Sequence, residues 1–333
     1  MPITRKEVAD RAGVSVAVVS YVMNNKQFVK EETRRKVLAA IQELGYQPNL
    51  VARSLKTKKS HQLAVLVNDL GNPFESGILL HIESAARQKG YTVFFQPFIE
   101  DQEEQLKSQF MGRIDGLLLL GQSLKKTTLA HFNNMGIPVL SITTPVVAHP
   151  DIPAIDLDWE LEFARLVKHL KESGHTSIAF MANGNVRHHH EHRFQAFLRA
   201  MTREKCSFDD QFLLNGRGKL EQAYPVMKTV LSKLMTDLPF TAIVCANDLM
   251  AAGVIAACRD TGVDVPGTLA VAGCEDILMS SHTSPMLTTI HYPREHLNVP
   301  AMDILVKLMN GEITGNMTMK ADLIVRASTR LAK

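Results

Sequence analysis

Apolar residues recur at helical spacing over the first 46 positions. Val8, Ala9, Ala12, Val14 and Val19 form one face across two short segments joined at Gly13-Val14-Ser15. Gly13 supplies the positive φ that a short turn between helices needs, Ser15 suits an N-cap, and small Ala9 lets the helices cross closely. The spacing predicts a helix-turn-helix over Val8–Asn24, with Val16–Asn24 as its recognition helix. A third helix follows over Glu31–Leu44, with Val37, Ile41 and Leu44 on one face and Gly45 as its stop.

From residue 61 the period changes. Short apolar runs read as strands: LAVLV (63–67), YTVFF (91–95), GLLLLG (116–121), PVLSI (138–142), SIAFMA (177–182), TAIVCA (241–246) and LAVAG (269–273). Helix-length stretches lie between them, at Phe74–Lys89, Trp159–Ser173, His190–Glu204, Leu220–Met235 and Leu249–Thr261. This alternation predicts parallel sheets covered on both faces, and so many units predict two α/β subdomains rather than one open sheet.

Charge sharpens the picture of the head. Residues 1–60 hold 12 Lys+Arg against 5 Asp+Glu, a net of +7, and the remaining residues hold 25 against 29, a net of −4. A basic head on a slightly acidic body points to a polyanion, because attraction to phosphate supplies most non-specific nucleic-acid affinity. The competing reading of Val8–Asn24 is a buried helical hairpin with a solvated charged face; the asymmetry and the basic stretch NLVARSLKTKKS after Pro48 favour DNA.

Composition excludes several classes. The 333 residues suggest two or three structural units, and no apolar run reaches the roughly 20 residues of a membrane span. The start, MPITRKEVADR, has no signal-peptide core, which predicts a cytoplasmic protein. Cys206, Cys245, Cys258 and Cys274 are scattered without a C-x-x-C pair, as expected of reduced core residues. Nucleophile-elbow, P-loop and dinucleotide-binding motifs are missing, so the expectation is a non-enzyme without cofactor or metal.

The runs TRKEVADRAGVSVAVVSYVMN and VKEETRRKVLAAIQELGYQPNLVARSL resemble the DNA-binding head and hinge of the lactose-repressor (LacI/GalR) family of bacterial regulators. The similarity continues through GHTSIAF, FTAIVCANDLMAAG, DVPGTLAVAGCEDI, SPMLTTIHYPREHL and ADLIVRAST, nearly the whole chain. It implies a helix-turn-helix head (1–46), a hinge (47–60) and a periplasmic-binding-protein type I body (61–333). The body would have two Rossmann-like parallel-sheet lobes, an N-lobe (about 61–157 and 291–320) and a C-lobe (about 158–290 and 321–333), crossed near 157, 290 and 321.

By this resemblance, Val16, Ala17 and Tyr21 stand where family members meet base edges. Val16 and Ala17 have no hydrogen-bonding side chain, which leaves thymine methyls or groove shape to read, and Tyr21 has one hydroxyl where the family often has Arg or His. Val18 departs from a usual Thr, and Lys30 from a usual Ser cap. Thr4, Ser15, Ser20, Asn24 and Thr33 are the candidate phosphate contacts. In the hinge, Leu55 is the expected wedge in the minor groove, with Asn49, Ala52 and Arg53 beside it. Leu55 as an ordinary core residue of a short helix is the competing reading. Paired hinges would make the operator a near-palindrome.

A small effector is expected between the lobes, at the C-terminal ends of the strands. Arg193, Asn247 and Glu275 match the polar positions that grip a sugar or purine in relatives; Phe74 and Trp159 offer apolar faces, and Thr143 follows the fourth strand. Glu275 stands for the family's usual Asp and Thr143 for a frequent acid. Trp159 as plain core and Asp248 as a helix cap are the competing readings. His188 and His192 in HHHEHR share a helix face at metal-ligand spacing, against a solvated loop or an effector contact.

The expectation is a homodimeric repressor of a carbohydrate-utilisation operon, in which effector binding shifts the lobes, separates the hinges and withdraws Leu55. Dimer is preferred to tetramer because no heptad tail follows the last body block. Alternatives are a purine or other non-sugar effector, a phosphoprotein co-repressor, and a solute-binding transport protein, which would share the body without the basic head.

Overall fold

Thr4 and Glu7 start the first helix by capping each other. The Thr4 hydroxyl oxygen accepts the Glu7 N–H at 3.3 Å while the Glu7 carboxylate accepts the Thr4 N–H at 2.6 Å. That helix, α1 (Arg5–Ala12), ends at Gly13 with φ 66°, and Ser15 caps α2 (Val16–Met23) through its hydroxyl oxygen to Val18 N–H. Lys30 at the start of α3 (Glu31–Leu44) makes no side-chain cap; Glu31 and Glu32 answer the helix dipole there instead. Val8, Ala9, Val19, Val22, Val37, Ala40 and Tyr46 form the buried core, with Ile41 and Leu44 half-buried against it. An exposed Arg11–Glu43 pair at 2.7 Å joins α1 to α3.

This computed structural model describes residues 3–24, 26–47, 57, 59–144, 149, 151–183, 191–234 and 238–330. The chain divides into two units, Met1–Ser60 and His61–Lys333. Asn49, Ala52, Arg53 and Leu55 lie outside the described residues.

The larger unit alternates strands and helices: β1 (Gln62–Val67), α4 (Pro73–Gln88), β2 (Thr92–Pro97), α5 (Glu103–Phe110), β3 (Gly116–Leu120), α6 (Lys126–Asn134), β4 (Val139–Ile142) and β5 (Ala154–Leu157). It continues through α7 (Trp159–Glu172), β6 (Ile178–Ala182), α8 (Glu191–Arg203), β7 (Leu213–Asn215), α9 (Leu220–Leu234), β8 (Ala242–Cys245), α10 (Asp248–Thr261) and β9 (Ala270–Glu275). Last come β10 (Thr288–His291), α11 (Asn298–Met309), β11 (Met317–Met319) and β12 (Asp322–Ile324).

Two six-stranded sheets result, ordered β11-β5-β4-β3-β1-β2 and β12-β10-β9-β8-β6-β7. The chain leaves the first sheet after β5, returns after β10 and leaves again between β11 and β12. The strand pairs are parallel except β10–β12, an antiparallel edge that the expectation of parallel sheets did not contain. In β1, Leu63, Val65 and Val67 face one core while Ala64 and Leu66 face another, all 0% exposed, so the strand reads as a continuous apolar run. The four cysteines are free and buried, and burial pushes the Cys258 thiol up to about 12. Among the described residues no helix is long and apolar enough to cross a membrane.

Candidate functional site

A cavity of about 760 Å³ opens where the loops after β1, β3 and β4 face those after β6, β7, β8 and β9. These are carboxyl ends of strands, and β1/β3 and β6/β8 are the points where strand order reverses in each sheet. Phe74, Thr143, Arg193, Asn247 and Glu275, expected from the sequence as effector contacts, all line it.

Arg193 and Glu275, both buried, line it as a bonded pair. Arg193 Nη1 donates to Glu275 Oε1 at 3.1 Å and to the Ala246 carbonyl at 2.7 Å. Its guanidinium lies 4.1 Å from the centroid of the Trp159 ring. Trp159 is not among the lining residues: it is 4% exposed, its indole N–H donates to the Asp156 carboxylate, and it supports Arg193 from below. The expected ligand-facing Trp is thus a platform, because the guanidinium covers its face.

Burial pushes the Glu275 carboxyl up to about 8, against the pull of the Arg193 charge. Its second oxygen, Oε2, has no hydrogen-bond partner among the described residues, and neither has Asn183 Oδ1 in the same cavity. Glu275 has φ 117° and Asp276 φ 51°, a conformation L-residues seldom adopt. Asp276 is held there by Arg326 at 2.8 Å and His291 at 3.0 Å.

Asn247 lines the cavity but has local work. Its Oδ1 caps α10 by accepting Met250 N–H, and its amide donates to the Gly218 carbonyl at 2.9 Å. Asp248, 1% exposed, is not a simple cap: it accepts from Ile277 N–H, Ser280 and Thr289, pinning the chain after β9. Thr143 has φ 70° in a β-branched residue, and its N–H donates to Ile155.

Other lining residues escaped the sequence reading. Asp69, after β1, pairs with Lys219 before α9 at 2.7 Å, linking the two sides of the cleft. Buried Glu75 accepts both the Asn68 and Asp69 backbone N–H groups, and burial raises its carboxyl. Arg217 stands at φ 49° on the turn NGRGK. The two cations of this short glycine-containing turn after β7, Arg217 and Lys219, were the available signal. Of the histidines, His188 lies outside the described residues; His192 Nε2 faces Asp156 at 3.5 Å.

On the head, Val16, Ala17, Tyr21 and Asn24 are exposed and Ser20 and Thr33 half-buried. The Thr4 hydroxyl donates to Glu7 at 2.7 Å and the Ser15 oxygen caps α2, so both serve the helix starts.

The family model for bacterial regulatory proteins of the lacI family matches residues 4–49, and a periplasmic binding protein-like domain matches residues 167–329. The HTH-type transcriptional repressor PurR of Aliivibrio fischeri (strain MJ11) is 33% identical over 311 residues, 91% of each chain. PurR of Pasteurella multocida (strain Pm70) is 31% identical over 336 residues, 98% of each. The crystal structure of the Lac repressor dimer bound to operator and the anti-inducer ONPF matches with a TM-score of 0.86 at 28% identity, covering 99% of both chains. A transcriptional regulator CelR–cellobiose complex matches with a TM-score of 0.72 at 26% identity, covering 98% of this chain and 99% of that one.

Proposed function

The chain belongs to the lacI family of bacterial regulatory proteins, DNA-binding transcriptional repressors, and on that premise we propose that a small molecule in its 760 Å³ cleft controls its hold on operator DNA. One observation carries this reading: Glu275, 4% exposed, lines the cleft, and its buried Oε2 has no hydrogen-bond partner among the described residues. An unpaired buried polar atom costs about 1–3 kcal/mol, which a ligand donor or acceptor offsets.

The carboxyl's state favours one ligand class. Burial raises the Glu275 carboxyl against the pull of Arg193, so it is a weaker acceptor for paired sugar hydroxyls than an ordinary carboxylate and more readily presents a hydroxyl donor. Phe74, Leu220, Leu249 and Met279 give the cavity apolar lining, and Asn183 Oδ1 adds an acceptor without a partner among the described residues. That combination suits a flat heterocycle with an amide-like edge, a purine base, better than the sugar expected from the sequence. A sugar is the second reading, supported by the likeness to the cellobiose-bound regulator.

Ligand and operator compete or cooperate by favouring different arrangements of the body, a coupling of about 1–3 kcal/mol. We take the working form to be a homodimer on a near-palindromic operator, as the likeness to the dimeric, operator-bound Lac repressor supports.

Thermal shift against purine bases and sugars tests the ligand class. A ligand of the folded state adds about 2.7 kcal/mol at a hundredfold over its Kd. A shift with a purine base that also changes operator affinity is expected. A shift with sugars alone moves the assignment to the second reading, and no shift in either class removes both.

A further inference from the structure

An exposed aromatic sits beside the recognition helix with no role assigned. Phe28, in the turn between α2 and α3, is 69% exposed, and its ring meets Tyr21 edge to face with centroids 5.0 Å apart. The turn is held in place: Lys26 N–H donates to the Tyr21 carbonyl at 3.0 Å, and Arg34 donates to the Lys26 carbonyl at 2.8 Å. These bonds place Phe28 beside α2, with its ring against that of Tyr21.

The chemistry of this face is narrow. Val16, Ala17, Tyr21 and Phe28 are exposed, and among their side chains only Tyr21 carries a hydrogen-bonding group. Lys26 and Lys30 flank Phe28 and are exposed, which places cations beside the apolar tip as phosphate binding requires. Val16, Ala17, Tyr21 and Phe28 cannot form the two-pronged contact that reads guanine or adenine, a contact left to the exposed amides of Asn24 and Gln27 and to the lysines. The apolar group that a base edge offers in the major groove is the thymine 5-methyl.

We propose that Phe28 and Tyr21 act as one aromatic unit packing on a thymine methyl of the operator, which makes Phe28 a specificity-determining residue. This rests on the operator-binding reading of the head and adds to it a residue and a base.

The test uses the full-length chain and duplexes it selects from a random-sequence pool. Each thymine of the best duplex is replaced in turn by deoxyuridine, which removes one methyl and nothing else. At one thymine per half-site the wild type should lose about fourfold in affinity, the worth of a buried methyl-sized group. Phe28→Ala should bind the thymine duplex more weakly and lose the discrimination at that position, while Phe28→Leu keeps part of it. An unchanged salt dependence of non-specific binding in both variants shows the basic face intact.

Equal uracil penalties in wild type and both Phe28 variants would overturn the inference, as would no penalty at any thymine. Failure to select any sequence would overturn the operator reading beneath it, and the inference with it.

Discussion

Arg193 and Glu275 meet at 3.1 Å with each side chain only 5% exposed, in the lining of the cleft. Desolvation outweighs the guanidinium's attraction and lifts the carboxyl from its ordinary 4.5 to about 8. The folded chain thus binds a proton that the unfolded chain releases above about pH 5. This contribution to stability is whole below the ordinary carboxyl range and is lost as pH rises through about 8. Glu275→Gln should fold, and the difference in Tm between variant and wild type should grow in the variant's favour from pH 5 to pH 8.5. An ionised pair would behave oppositely, the variant losing about 3–5 kcal/mol at neutral pH.

Arg193→Lys keeps the charge but loses the planar fork and the stack on Trp159. Ligand affinity should fall about ten- to a hundredfold, the loss of one hydrogen bond to a charged group. Affinity for operator without ligand should stay as it is. Calorimetry with the ligand and fluorescence anisotropy with the operator separate the two.

Lys219 and Asp69 face each other across the cleft mouth with side chains 56% and 38% exposed, so screening keeps their bond weak. Lys219→Ala should change stability by less than about 1 kcal/mol. Because the pair joins the two sides of the ligand cavity, ligand dissociation should quicken, most visibly at low salt. Stopped-flow release that is unaltered would remove the pair from ligand retention.

Gly253 of α10 packs directly on α9. A Cβ there would sit 2.8 Å from the Leu220 carbonyl oxygen and 3.1 Å from Tyr224 N, both backbone atoms that cannot turn aside. Gly253→Ala should therefore cost about 1–3 kcal/mol despite alanine's better helix propensity, as other overpacked sites do. Urea melts of the variant measure it.

Leu55→Ala tests the hinge expected over residues 47–60. If Leu55 is the minor-groove wedge, specific operator affinity should fall while salt-sensitive non-specific binding persists. Equal loss of both, in titrations against operator and unrelated duplex, counts against the wedge.

Local chemistry made much of this protein legible without coordinates. Glycines at 13 and 45 and the Ser15 cap are instructions that neighbouring residues complete, so the head could be read directly. Strands buried on both faces, such as β1, β3 and β8, announced themselves as unbroken apolar runs. Three of the four edge strands did not: β7, β11 and β12 are three residues each, and with one side unpaired they need no such run, whereas the fourth edge, the longer β2, showed itself as YTVFF. Likewise α5, EEQLKSQF, is mostly polar and takes its place through Leu106, Phe110 and buried Glu103, whose carboxylate accepts the Lys125 N–H at 2.7 Å.

Only tertiary structure decided the cleft's chemistry. The sequence could nominate Arg193 and Glu275, separated by 82 positions, but not that they bond each other beneath a shared ligand space. Nor could it show that Trp159 lies under the guanidinium, that Asn247 is occupied with a cap and with Gly218, or that Asp69 reaches Lys219. The physical reason is the same in each case. Periodicity and caps act between residues a few places apart, whereas desolvation and pairing depend on which distant loops the folded sheets bring together.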